Sequence, residues 1–249
     1  MAGHSHFANI QHKKGARDAK RGKIFTKLAR EITVAAKLGL PDPAYNARLK
    51  AAIDAAKAES MPKDSIERAV KKGTGGGDQD NFEEARYEGF APGNVGLIVE
   101  ALTNNRNRTA SELRTVFDKH GGSFGATNSV AFNFQRVGQI VYKAEAGSED
   151  KVMEAALDGG ADDVLSNADG HTIFCAHDAL HAVTKALEAK LGEPESARLD
   201  WRPTVTVDVD ADKAKKVLDL IAALEDNDDV QRVAANYEMS DEVMAKLSG

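Results

Sequence analysis

The charge of this 249-residue sequence changes sign at one glycine-rich segment, Gly73-Thr74-Gly75-Gly76-Gly77-Asp78. Residues 1–78 carry 16 basic and 8 acidic side chains, a charge of +8, whereas the rest of the chain carries 17 basic and 31 acidic ones, a charge of −14. The segment lacks the residue order of a phosphate-binding loop and follows no predicted strand, so it predicts a flexible linker. We therefore expect a basic domain at 1–78 and an acidic remainder.

The basic part of the chain has the pattern of helices. Apolar residues recur every three to four positions from Ile24 to Ala36, and Gly39 ends the segment. Asp42-Pro43 predicts the start of a second helix, and Met61-Pro62 the start of a third. Three helices with short connections predict a small bundle.

The first thirty residues hold eight basic side chains and one acid. Such a cluster in an acidic protein is either a solvated tail or a contact surface for an anion, most often a nucleic acid backbone. The helical pattern favours the second interpretation, because an apolar face can pack on a core while a basic face lies along phosphates. The predicted backbone contacts are Lys13, Lys14, Arg17, Lys20, Arg21, Lys23 and Lys27.

Beyond residue 94, short β-rich runs alternate with amphipathic helices. Strands are predicted at 95–102, 130–136, 138–144, 162–165, 171–176, 197–202, 204–209 and 230–236. Helices are predicted at 109–120, 149–159, 178–191 and 212–226, the first opening with a capping box at Thr109 and Glu112. This order spells two βαββαβ sets, the ferredoxin-like arrangement, and an α+β fold.

The two sets are either consecutive or nested. Residues 166–170 have the composition of a hairpin turn, and a tight hairpin rarely spans a domain boundary. This favours nesting, so we expect an inserted domain at 138–202 within a middle domain formed by 79–137 and 203–249.

Arg106 and Arg108 are predicted as a second contact point for nucleic acid. They lie among asparagines between a predicted strand and a capped helix, where they suit phosphate oxygens or base edges. The alternative is a polar turn whose Asn side chains satisfy its own backbone.

Catalytic and metal-site patterns give no support for an enzyme or a cofactor. The sequence has no nucleophile elbow, no zinc protease motif and no dinucleotide loop after a strand. His4, His6 and His12 have no nearby carboxylate or thiol to complete a metal shell, and Cys175 in a predicted strand suits a packed thiol. A lone cysteine and the lack of a long apolar run predict a cytoplasmic protein with no membrane partner. The missing catalytic motifs predict that it has no small-molecule substrate.

Several long motifs resemble one family. They are AGHSHFANIQHKKGARDAKRGKIFTKLAREITVAAKLG, MPKDSIERAVKKGTG, YEGFAPGNVGLIVEALTNNRNRTASELRTVFDKHGG and ALEDNDDVQRVAANY. These resemble the YebC/PmpR family, which includes the mitochondrial translational activator of cytochrome c oxidase subunit I. His6-Phe7 stands where the family usually has Lys-Trp, and Asn128 where a Gly is common.

The resemblance implies a three-domain, non-enzymatic protein with an N-terminal helical bundle and two α/β domains. It also implies a DNA-binding transcriptional regulator, or a ribosome-associated factor that assists synthesis of proline-rich stretches. The residues themselves leave duplex DNA and ribosomal RNA both open. No helix-turn-helix, zinc finger or bZIP pattern is visible, which favours recognition of structured RNA by shape.

Overall fold

The computed structural model describes residues 17–75 and 82–248. The helices are α1 Arg17–Leu38, α2 Ala47–Ala58, α3 Lys63–Thr74, α4 Arg106–Lys119, α5 Glu149–Asp158, α6 Leu180–Leu191, α7 Ala211–Glu225 and α8 Asp241–Ser248. The strands are β1 Glu83–Ala91, β2 Val95–Thr103, β3 Ser123–Phe124, β4 Phe134–Lys143, β5 Asp163–Asn167, β6 Gly170–Ala176, β7 Ser196–Pro203, β8 Val207–Asp208, β9 Val230–Ala235 and β10 Tyr237–Glu238. Helices followed by mostly antiparallel sheets confirm the predicted α+β class.

The first three helices pack around a small, alanine-rich core. Ile32, Leu49 and Ile66, one from each helix, are almost fully buried within it. The predicted linker is wrong at its first residues, because Gly73 lies inside α3 and a Cβ there would come within 2.4 Å of the Thr33 carbonyl oxygen. Gly73 is therefore a packing residue, while residues 76–78 lie outside the described part of the chain.

Two predicted helix starts are wrong. The α2 cap is Asn46, whose Oδ1 accepts from the Leu49 amide at 3.0 Å, whereas Asp42 forms a turn by accepting from the Ala44 amide. The α4 cap is Asn105, four residues before the predicted Thr109. Asparagine caps as well as threonine does, and the earlier start lets Thr109 be buried inside the helix.

The four-stranded sheet of the larger unit has the order β3-β1-β2-β9. Strand β1, which the sequence did not predict, pairs with β2 along its full length, from Glu83 opposite Thr103 to Ala91 opposite Val95. The predicted strand at 130–136 is instead a 3₁₀ turn, Ala131–Asn133, followed by the start of β4. The predicted strand at 204–209 shortens to β8, which pairs in parallel with β10.

Residues 135–202 form a second compact unit. Its elements run β4-α5-β5-β6-α6-β7 and its sheet has the order β5-β6-β4-β7, which is the ferredoxin-like order. The predicted hairpin is confirmed, since β5 and β6 pair antiparallel and the Asn167 Oδ1 accepts from the Asp169 and Gly170 amides. The larger unit holds the remaining described residues.

Candidate nucleic-acid interface

One face of α1 lies against the turn that follows α7. The Lys23 Nζ donates to the Asp226 carboxylate at 2.6 Å and to the Asp226 carbonyl at 3.2 Å. The Lys27 Nζ donates to the Glu225 carbonyl, and Arg30 donates to the Asp228 carbonyl at 2.8 Å. Part of the predicted phosphate-binding row thus contacts protein oxygens in this structure.

The end of α7 attracts these cations for a simple reason. The last carbonyl groups of a helix have no intrahelical partner, and the helix dipole places partial negative charge there. The turn is also rich in carboxylates, because residues 225–229 read Glu-Asp-Asn-Asp-Asp. A row of cations spaced along α1 therefore finds both carbonyl and carboxylate acceptors.

Lys27 is the more deeply placed of the two lysines. Burial lowers the pKa of its ammonium below the usual 10.5, although Glu225, Asp228 and Asp226 pull that pKa upward. The charged form of Lys27 is therefore less favoured here than in water. By contrast, the Lys23 side chain is 43% exposed and its partner Asp226 is 68% exposed.

Asp229 joins α1 to the start of α4. Its side chain is 7% exposed and accepts from Arg30 at 2.7 Å, from Arg108 at 3.2 Å and from the Thr109 hydroxyl at 2.6 Å. Burial by itself would raise the pKa of Asp229, but the hydrogen bonds from Thr109, Arg108 and Arg30 outweigh it and lower that pKa below 3.8. The carboxylate is thus held ionised between two guanidinium groups.

Arg30 has contacts beyond Asp229. Its Nη1 also donates to the Leu102 carbonyl at 3.0 Å, at the end of β2. Its guanidinium lies over the Phe82 ring, 4.5 Å from the centroid. A planar group with several donors suits this combination of carbonyl, carboxylate and aromatic contacts.

Arg106 and Arg108 both lie at the start of α4, where Arg108 contacts Asp229 and Arg106 contacts β1. The Arg106 Nε is 3.0 Å from the Glu83 carboxylate, and its Nη2 donates to the Glu84 carbonyl. Arg108 adds the Asn104 side chain to its contact with Asp229. Both side chains remain about half exposed, so they serve the fold and are still partly open to solvent.

The other five predicted contacts have side chains outside the described residues. Lys13 and Lys14 lie outside the described residues. Arg17, Lys20 and Arg21 belong to α1, but their side chains also lie outside the described part. The predicted set left out Arg30 and Asp229, although both belong to the motifs quoted for the family resemblance.

A second buried carboxylate shapes a loop of the same unit. Glu88 is 1% exposed and accepts from the backbone amides of Asn128, Val130 and Ala131 at 2.8 to 3.0 Å. Asn128 has a φ of +65°, a conformation that glycine favours and asparagine tolerates. This accounts for an Asn at a position where the family commonly has Gly.

The other polar side chains considered have structural roles. Cys175 is fully buried, and burial raises its pKa to about 11, so it is a packed thiol as predicted. His171 is bonded on both ring nitrogens, to the Ser166 hydroxyl and the Gly147 carbonyl. Within 17–75 and 82–248, no group of His, Cys, Asp or Glu is arranged to hold a metal ion. No helix in those ranges is long and apolar enough to cross a membrane.

Comparison with known families covers most of the sequence. A family described as "TACO1/YebC protein N-terminal domain" matches residues 5–76, and one described as "TACO1/YebC second and third domain", named Transcrip_reg, matches residues 82–237. This chain belongs to the TACO1/YebC family. TACO1/YebC proteins are thus classed with transcription regulators and not with an enzyme family.

A solved structure is similar to this chain over nearly its whole length. It is a crystal structure titled "Conserved Hypothetical Protein Aq1575 from Aquifex Aeolicus", 47% identical to this chain. The match covers 96% of this chain and 99% of that one, with a TM-score of 0.89. This chain therefore shares the fold of that protein over nearly its whole sequence.

Proposed function

We propose that this protein is a non-enzymatic, cytoplasmic regulator of gene expression that binds nucleic acid through its N-terminal helical domain. The observation that carries the proposal is the charge of +8 on residues 1–78 in a chain of net charge −6. A nucleic acid backbone is the commonest partner for such a cluster. The membership in a family named for transcription regulation supports duplex DNA as the target.

The phosphate contacts we propose are those of the predicted row, from Lys13 to Lys27, with Arg106 and Arg108 as a second point. The bundle offers further positive charge on α3, where Arg68, Lys71 and Lys72 are exposed. An extended basic surface of this kind binds several phosphates at once, and each contact adds to the salt dependence of affinity.

The test is a titration of a short labelled duplex DNA at several salt concentrations. Replacing Lys20 and Lys23 with alanine should weaken binding at low salt and flatten the slope of log K against log salt by about 0.9 per lost contact. The melting temperature should stay nearly unchanged, because exposed ion pairs contribute little stability. Unaltered affinity would contradict the contact assignment, and a wild-type protein that binds no nucleic acid would contradict the function.

A ribosome-associated role is the second candidate, and the packing of α1 favours it. Ile32 is buried in the bundle core, and Val34, about 200° further round the helix, is also buried. A helix covered on two sides cannot insert into the major groove of DNA along these residues. Recognition of structured RNA through its phosphates does not require a helix to enter a groove.

Sedimentation distinguishes the two candidates. In the translational case, the protein in a cell lysate should migrate with ribosomal particles at low salt and separate from them at high salt. In the transcriptional case, it should migrate as a free protein at both salt concentrations and bind duplex DNA with preferred sequences.

A further inference from the structure

The oxygen atoms that surround the Lys23 ammonium resemble those that a nucleic acid phosphate would offer it. It is bonded by the carboxylate and carbonyl oxygens of Asp226, as it would be by the oxygens of a phosphate. Both partners are substantially exposed, so a rotation of the Lys23 side chain is enough to exchange one anion for the other. A phosphate at Lys23 would therefore compete with Asp226 for the same ammonium group.

Lys27 is held more firmly by the same turn. Its Nζ donates to the Glu225 carbonyl in a half-buried position, so a phosphate that bound Lys27 would compete with this carbonyl for the ammonium. The acidic residues beside it would also repel an approaching phosphate. The turn therefore opposes nucleic acid both by occupying the lysines and by its negative charge.

We propose that the acidic turn at residues 225–229 competes with nucleic acid phosphates for Lys23 and Lys27, and so limits the affinity of the basic face of α1. The inference rests on the proposed function, since it concerns the regulation of the same surface. Arg30 and Asp229 are nearly buried and stay paired, so the competition involves the lysines while α1 remains attached to β2 and α4.

The test is a double-mutant cycle on binding to a labelled duplex DNA and to the duplex RNA of the same sequence. Asp226→Asn removes the carboxylate partner of Lys23 while keeping the size of the side chain. Since an exposed ion pair is weak, binding should tighten by roughly threefold to tenfold at low salt. The same substitution in a Lys23→Ala background should lose most of this gain, because the partner is gone.

Asp219→Asn is the matched control. Asp219 is exposed on the same helix, two turns or about 10 Å before residue 226, so it changes the net charge equally without touching Lys23. Its effect on affinity should be smaller than that of Asp226→Asn and the same in both Lys23 backgrounds. Urea unfolding of each variant shows whether the fold is intact.

The possible results distinguish a failure of the proposed competition from a failure of the proposed nucleic-acid-binding function. If wild type binds DNA or RNA but Asp226→Asn tightens binding no more than Asp219→Asn, the competition is overturned and the function stands. If the gain is equal with and without Lys23, the effect is general charge repulsion, and the competition is again overturned. If wild type binds neither duplex at low salt, the proposed function itself fails. Tightening on only one duplex supports the competition and identifies the target.

Discussion

Arg30 and Asp229, 199 positions apart in the chain, form an ion pair of 2.7 Å whose side chains are 13% and 7% exposed. The pair attaches the first helix to the turn after α7. Since Asp229 also accepts from Arg108 and Thr109, one carboxylate links three segments that are distant in sequence. A buried pair of this kind is costly to break, because the remaining charges lose their partner while they stay out of water.

Asp229→Ala should therefore lower the free energy of unfolding by about 3 kcal/mol. Urea denaturation monitored by circular dichroism measures the change. Asp228→Ala is the control, because Asp228 is exposed and only its carbonyl accepts from Arg30. It should change stability by less than about 0.5 kcal/mol. Equal effects of the two variants would show that the buried carboxylate is not the stabilising element.

The stability that Asp229 contributes should depend on acid pH. Its pKa is lower in the folded than in the unfolded chain, so the contribution is fully present above about pH 4 and is lost as pH falls through the folded pKa. We expect the gap in unfolding free energy between wild type and Asp229→Asn to be constant near neutral pH and to narrow in acid. Urea titrations over this range check it. A gap independent of pH would contradict an ionised Asp229.

Lys27→Met should reveal the cost of burying an ammonium. The pKa of Lys27 is lowered in the folded chain, so wild type gains stability relative to the variant as pH rises through the folded pKa toward 10.5. At neutral pH we expect the variant to be at least as stable as wild type. Urea titrations at neutral and alkaline pH measure this, with the exposed Lys63→Met as control. A clear loss of stability at neutral pH would show that the bond to the Glu225 carbonyl outweighs burial.

Asn128 should tolerate glycine and resist a branched side chain. Its left-handed conformation suits Gly, so Asn128→Gly should leave the melting temperature within a few degrees of wild type, although the bond from Arg86 to the Asn128 side chain is lost. Asn128→Val should lower the free energy of unfolding by about 1 to 2 kcal/mol, because a β-branched residue is strained at this φ. The melting temperatures of both variants test this prediction. Equal melting temperatures would contradict the left-handed turn.

Cys175 should be inert in the folded protein. It is fully buried and its pKa is raised to about 11, so little thiolate exists at neutral pH and reagents cannot reach it. Reaction with a disulfide reagent should be very slow in buffer and rapid in denaturant. Rapid reaction without denaturant would mean that the β4–β6 region opens readily.

Local patterns in the sequence determined much of this protein. The helical period in residues 24–36, the Met61-Pro62 start and the turn at residues 166–170 each predicted an element that the structure contains, because periodicity, proline geometry and turn chemistry act over a few residues. The order of the β-rich runs and amphipathic helices beyond residue 94 predicted the α+β class. Strand β1 was missed, since its mixed charged and glycine-containing sequence becomes a strand only by pairing with β2.

Tertiary structure alone decided what the charged residues contact. From the sequence, Lys23 and Lys27 are cations on a helix, and residues 225–229 are an acidic turn about two hundred positions away. Only the packing of α1 against the end of α7 brings them together. In the same way, Thr109 suits a cap by its sequence, and it becomes a buried donor because Asp229 lies opposite it. Charge and helical period are local properties of the chain, whereas the partner of each charge depends on which distant segment folding places beside it.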